Sequence, residues 1–161
     1  MFNLTRPMCV FAVLYLLCAT AIAQKVELYG GYQYTHLQPA FNGHGWNAAL
    51  TGNFKHVLGI TGDFSGAYRN TLSVHTYTIG PVFTARLPVV QPFAHALFGG
   101  MTASRNLSTS GFAMLLGGGL DVGLRKGVGL RIVQVDWLST QISDVTRNRN
   151  IRASAGIVIK F

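Results

Sequence analysis

Charge is scarce in this sequence. Only 11% of its 161 residues are Asp, Glu, Lys or Arg, where a soluble domain usually carries about 25%. Acids are the rarer kind, 5 against 13 Lys and Arg, so the net charge is +8. The basic residues are dispersed along the chain rather than gathered into a stripe, which argues against a nucleic-acid partner. Disorder is excluded by a hydrophobic content of 49%, because unfolded segments combine low hydrophobicity with high charge. Proline numbers five and glycine 19, a balance that fits extended, closely packed backbone better than a Pro-rich linker.

Long apolar runs are also missing. The longest, Cys9 to Thr20, is well short of the roughly 20 residues that a spanning helix needs. It follows a short basic segment with Arg6 and precedes Ala21-Ile22-Ala23, a small-x-small pattern before Gln24. These features predict a signal peptide over residues 1–23, cleaved between Ala23 and Gln24, which makes the product an exported protein. A lipoprotein reading centred on Cys18 is disfavoured by the bulky Leu17 before it. Both cysteines, Cys9 and Cys18, lie in this segment, so the domain over residues 24–161 has no thiol or disulfide chemistry.

Sustained helical periodicity is absent after Ala23. Eight segments instead alternate in period two, separated by turn-rich stretches, as strands do when their two faces meet different surroundings. In the first, Lys25 to Thr35, Val26, Leu28, Gly30, Tyr32 and Tyr34 share one face, and Lys25, Glu27, Gln33 and Thr35 the other. Trp46 to Lys55, Leu58 to Arg69, Val74 to Arg86, Phe112 to Arg125 and Ile151 to Phe161 repeat this division. Pro81 interrupts the fourth segment, where a bulge or a missing ladder bond is expected. The fifth, Gln91 to Ala103, leaves its register open, because neither phase separates Gln91 and His95 from the apolar residues. In the seventh, Val128 to Gln141, Arg131 and Asp136 differ by an odd number, so one bulge is needed to bring both to the polar face.

The connections alternate too. Those after the odd strands, His36–Gly45, Asn70–Ser73, Ser104–Gly111 and Ile142–Asn150, are read as the longer ones. Those after the even strands, His56–Val57, Leu87–Val90 and Lys126–Gly127, are short. An even strand number with short turns at one end predicts an all-β, eight-stranded antiparallel up-and-down transmembrane β-barrel. A soluble lipocalin-like binder would place the apolar face inside. Its exterior would need about 25 to 35% charged residues, and even without the first 23 residues the chain carries only about 12%. The apolar face is therefore assigned to lipid, and closure follows because unpaired backbone in hydrocarbon is costly. Tyr34, Trp46, Tyr68, Tyr77 and Phe112 near one end and Phe54, Phe83 and Phe161 near the other supply two aromatic girdles.

At the C-terminus, Ser154, Gly156, Ile159 and Phe161 resemble the assembly signal of bacterial outer-membrane barrels: polar, any, Gly, two of any kind, hydrophobic, any, terminal aromatic. Residues 26–34 (VELYGGYQY) and 92–100 (PFAHALFGG) look like glycine-aromatic strands of the small OmpA-like or OmpX-like outer-membrane barrel family, some of whose members are described only as porin-family proteins. The resemblance implies a bacterial outer-membrane location, a barrel-assembly machinery that pairs with the last strand, and lipid and lipopolysaccharide as surroundings. The periplasmic cell-wall-binding domain of larger OmpA-type proteins has no counterpart here, so that tethering is not carried over.

An eight-stranded barrel is filled by side chains. Glu27, Asp63 and Asp121 are expected inside it with Lys55, Arg131 and Arg152 as a paired charge network. Arg69, Arg105, Arg147 and Arg149 fall at the loop side, where guanidinium groups could hold anions or lipopolysaccharide phosphates. Gly117-Gly118-Gly119 is read as strand packing rather than a phosphate loop, since alternation continues through Leu124. The five histidines lack metal-ligand spacing, and no cofactor or metal is expected. A hydrolase using His36 or His75 with Asp144 lacks a marked nucleophile, so the chain is read as a non-enzyme. The reading is a structural or surface-interaction barrel; the alternative is a narrow ion-conducting porin, with the loop-site hydrolase and the lipocalin-like binder behind it.

Overall fold

The computed structural model describes residues 25–37, 41–104, 108–142 and 145–161. The expected signal segment, including Ala21, Ala23 and Gln24, lies outside the described residues, as do Arg105 and Asp144. Among the described residues all eight elements are strands: β1 Lys25–Leu37, β2 Phe41–Asn53, β3 Leu58–Arg69, β4 Leu72–Thr84, β5 Val90–Ser104, β6 Ser108–Arg125, β7 Val128–Ile142 and β8 Val145–Lys160. Each pairs antiparallel with its neighbours in sequence, and β8 pairs with β1 from Glu27↔Lys160 to His36↔Ile151, so the barrel is closed. Closure leaves no sheet edge unpaired.

Alternation is consistent around the wall. Outward positions are apolar: Leu50, Ile60, Phe64, Ile79, Phe83, Ile151 and Ile157 are all exposed. Inward positions hold the charge, and Glu27, Asp63, Asp121 and Asp136 are each less than 9% exposed. Water would punish this arrangement on both sides; hydrocarbon outside favours it.

Three details of the ladder bear on what the sequence predicted. Between β4 and β5 the pairs run to Ile79↔Phe98 and resume at Val82↔His95 with the register kept. Pro81 thus coincides with a gap in pairing and no bulge. In β7 the partners pass from Leu120↔Val133 to Asp121↔Arg131; the bulge leaves Ile132 and Val133 both outward and brings Arg131 and Asp136 to the same interior face. β5 takes the register that puts Phe93, His95, Leu97 and Met101 inside and Phe98 outside.

The strands are longer than expected at one end. β2 begins at Phe41 and β8 at Val145, so most of the connections predicted over His36–Gly45 and Ile142–Asn150 are paired strand. The loop-length asymmetry disappears, and the loop side consists of extended hairpins. The physical reason is that the two-faced pattern fades toward the strand ends, whereas backbone pairing continues, as in His36↔Asn42 and Thr35↔Gly43. Tight reversals use residues that tolerate a left-handed backbone, Asn70 at φ 51° and Gly127 at φ 81°.

Candidate functional site

The barrel interior has two unlike levels. Toward the even-strand turns lies a chain of charged groups, held by strands on opposite sides of the lumen. Arg152 on β8 reaches across to Asp63 on β3, with Nη1 2.6 Å from Oδ1 and Nη2 3.1 Å from Oδ2, and donates through Nε to Asp136 Oδ2 at 2.7 Å. Asp136 also meets His95 Nε2 at 2.7 Å and accepts from Gln134 Nε2 at 2.8 Å. Gln134 Oε1 in turn accepts from Arg131 Nη1 at 2.7 Å, and Arg131 Nε donates to Asp121 Oδ1 at 2.7 Å. Asn47 Nδ2 donates to Asp63 Oδ2, which it shares with Arg152 Nη2, at 2.8 Å. Charge-assisted bonds of this length are about twice as strong as neutral ones. The network satisfies ions whose isolated burial would be prohibitive.

Backbone and aromatic groups shape this level. Arg131 is held between two rings, its guanidinium carbon 4.3 Å from the Tyr29 centroid and 4.1 Å from that of Phe93, a cation–π contact on both faces. Gly117 and Gly119 make the room: a Cβ at Gly117 would lie 2.2 Å from Asp136 Oδ1, and one at Gly119 2.8 Å from the Phe93 ring. A second, smaller group joins Glu27 to Arg86 Nη2 at 3.2 Å and to Asn53 Nδ2 at 3.1 Å. The void among these side chains measures about 10 Å³, no more than the roughly 10–15 Å³ one water requires.

Toward the hairpins the interior is mainly apolar over β2 to β7, while Gln33 and Thr35 on β1, Thr140 on β7 and Asn150 on β8 are buried polar residues at the same end. Phe41, Val74, Leu97, Met101, Leu115 and Leu138 pack into one cluster with Ala67 and Ala113, and Leu37, Leu72 and Ala103 lie against it. Leu97, Leu115 and Leu138 are almost completely buried. An oily plug thus sits above the charges.

Of the residues expected in the network, Asp63, Asp121, Arg131 and Arg152 are brought together directly, and Glu27 is inside but bonded to Arg86 and Asn53. Lys55 is not inside: β2 ends at Asn53, and Lys55 is exposed in the following turn, where its amide donates to Leu58 O at 3.2 Å. Sequence reasoning placed Asp136 on the polar face but outside the network, and it missed His95, Gln134 and Arg86 as members. In the terminal motif, Ser154 and Gly156 face inward and Ile159 and Phe161 outward, on the strand that closes the barrel. Arg69 is exposed at the end of β3, and the side chains of Arg147 and Arg149 lie outside the described residues. His36 Nδ1 is 2.5 Å from Asn42 Oδ1 and His75 Nε2 is 3.2 Å from Tyr68 Oη, on separate strands. Among the described residues no three His, Cys, Asp or Glu converge on a metal position.

A closed, up-and-down barrel with an apolar outside and an ion-paired lumen defines the fold of the small outer-membrane barrels. Known structures share that fold. Neisserial surface protein A superposes with a TM-score of 0.65 at 15% identity, over 86% of this chain and 97% of that one. The N-terminal β-barrel domain of Pseudomonas aeruginosa OprF gives 0.58 at 9% identity, over 85% and 97%. The outer membrane protein Ail of Yersinia pestis gives 0.55 at 16% identity, over 86% and 99%. No protein-family model and no curated protein matches the chain.

Proposed function

We propose that this protein is a bacterial outer-membrane barrel of structural and surface-interaction type, exported by its N-terminal segment and inserted by the barrel-assembly machinery through β8. Its even-strand turns and both ends of the mature chain face the periplasm, and its four odd-strand hairpins face outward among lipid and lipopolysaccharide. The observation that carries this reading is the sorting of the wall: every carboxylate among the described residues is buried in the lumen, while the large apolar side chains point out. The likeness to barrels named as surface and outer-membrane proteins supports it.

The filled lumen favours a support and display role over conduction. An ion would have to pass both the salt-bridged level, whose void is about 10 Å³, and the apolar plug above it. The test is mobility of the membrane-extracted chain with and without boiling, together with planar-bilayer conductance. A heat-shifted band with little conductance is expected. Recovery in the soluble periplasm without a heat shift would overturn the membrane assignment, and regular conductance steps would overturn the closed lumen.

A further inference from the structure

The outer wall is not uniform. Over β1 to β5 it is hollowed into a groove of about 530 Å³, within the size range of ligand sites. Ala48 and Gly62 form its floor, and Leu28, Leu50, Phe64, Ile79 and Phe98 its rim. A Cβ built at Gly62 meets nothing within 4 Å, so the hollow is a gap left by a missing side chain and is not filled by neighbours.

Further toward the hairpins on β1 to β4 the same face becomes polar, with Trp46 and His75 one alternating step beyond the groove and Tyr32, His44 and Tyr68 two. Trp46 Nε1 donates to Tyr68 Oη at 3.3 Å, and Tyr68 Oη lies 3.2 Å from His75 Nε2. An indole can only donate, so the Tyr68 oxygen accepts there, which leaves its own hydrogen free for His75 Nε2; when Tyr68 donates it, a neutral His75 carries its proton on Nδ1. Tyr32 Oη bonds His44 Nδ1, and the Tyr34 ring packs on His44 at 5.2 Å between centroids. When Tyr32 donates, His44 carries its proton on Nε2. With both tyrosines donating, each histidine keeps a second ring N–H on the outer face, bonded to nothing among the described residues, at the level of the aromatic girdle.

We propose that this face seats one phosphorylated membrane lipid, with an acyl chain in the groove and its phosphate accepting from His44 and His75. Charge chooses the occupant. Every carboxylate among the described residues is inside the barrel, so nothing acidic nearby repels an anion. A second copy of the chain docked on this face would bring no described carboxylate to meet the two N–H groups. A lipid phosphate supplies the acceptor and its acyl chain the filling.

The inference rests on the membrane reading above, and its test separates the two. The full chain, folded in detergent and checked by its heat shift, is titrated with dioleoyl phosphatidic acid, with dioleoylglycerol and with inorganic phosphate, and bound species are counted by native mass spectrometry. One phosphatidic acid per barrel is expected, held in preference to dioleoylglycerol, with inorganic phosphate not retained. Gly62→Leu fills the groove and should weaken retention about tenfold, the loss of one well-buried apolar contact. Should Gly62→Leu fail the heat-shift check, Ala48→Leu on the neighbouring strand fills the same hollow. The double variant His44→Ala/His75→Ala should lose the preference for phosphatidic acid over dioleoylglycerol while keeping the groove. Equal retention of the two lipids by the unaltered chain, retention indifferent to filling the groove, binding of inorganic phosphate alone, or a lipid-free dimer would each overturn the inference. A chain with no heat shift in any detergent overturns the membrane reading instead.

Discussion

The two levels of the lumen solve one packing problem in opposite ways. At the hairpin end, Leu97, Leu115, Leu138 and their neighbours fill the space with methyl groups, which need only the right volume. At the turn end, Asp63, Asp121, Asp136, Arg131 and Arg152 fill it with ions, which need the right partner at the right distance. The contrast teaches where stability is fragile. A cavity in the apolar level lets neighbours relax into it, whereas removing one member of the ionic level strands the others without solvent.

The sharpest way to break that contrast is Arg152→Met. It leaves Asp63 and Asp136 facing each other without the cation between them, and a buried pair broken on one side costs about 3–5 kcal/mol; urea unfolding followed by the heat-shifted band should show it. Leu97→Ala tests the other level. A Leu-to-Ala cavity costs about 2–5 kcal/mol, and the loss should fall below that of Arg152→Met in the same assay. Gly117→Ala tests how tightly the wall packs behind Asp136, since the new methyl would lie 2.2 Å from Asp136 Oδ1 and 2.4 Å from the Val135 carbonyl oxygen. An overpacking loss of about 1–3 kcal/mol is expected in the same unfolding assay. Phe93→Leu removes one face of the Arg131 sandwich, worth about 0.5–2 kcal/mol. Smallest of all, Lys55→Ala should change stability by no more than about 0.5 kcal/mol, the range of an exposed surface site. A large effect there would return Lys55 to the interior network and overturn its placement in the turn.

The same contrast explains what could be read from the sequence. Where the lumen is polar, inward and outward residues differ in kind, and β1, β3 and β8 showed their faces plainly. Where the lumen is oily, both faces are apolar, and period two loses its signal: Ala96-Leu97-Phe98 in β5 has no polar residue to mark the inside. The open register of the fifth strand was thus the plug seen from the sequence. The bulge in β7 was legible because two charges of wrong parity demanded it. Membership of His95 was not, since it takes the registers of two successive hairpins, His95↔Gly117 and Gly117↔Asp136, to set β5 near Asp136 on β7. Lys55 was misplaced because alternation was followed past the last ladder pair, Lys25↔Asn53; past that point the chain turns, and parity no longer says which way a side chain points.

Arg152 and Asp63 stand 89 residues apart in sequence, and their bond spans from the last strand to the third. No earlier strand can stand in for it. Asp136 meets Arg152 on the neighbouring strand, through the β7–β8 ladder, whereas Asp63 can be reached only from across the lumen. The strand that carries Arg152 is also the one whose pairing with β1 seals the wall. Arg152 thus ties the seam to the interior: the strand that completes the ladder also sets the cation that joins Asp63 to Asp136.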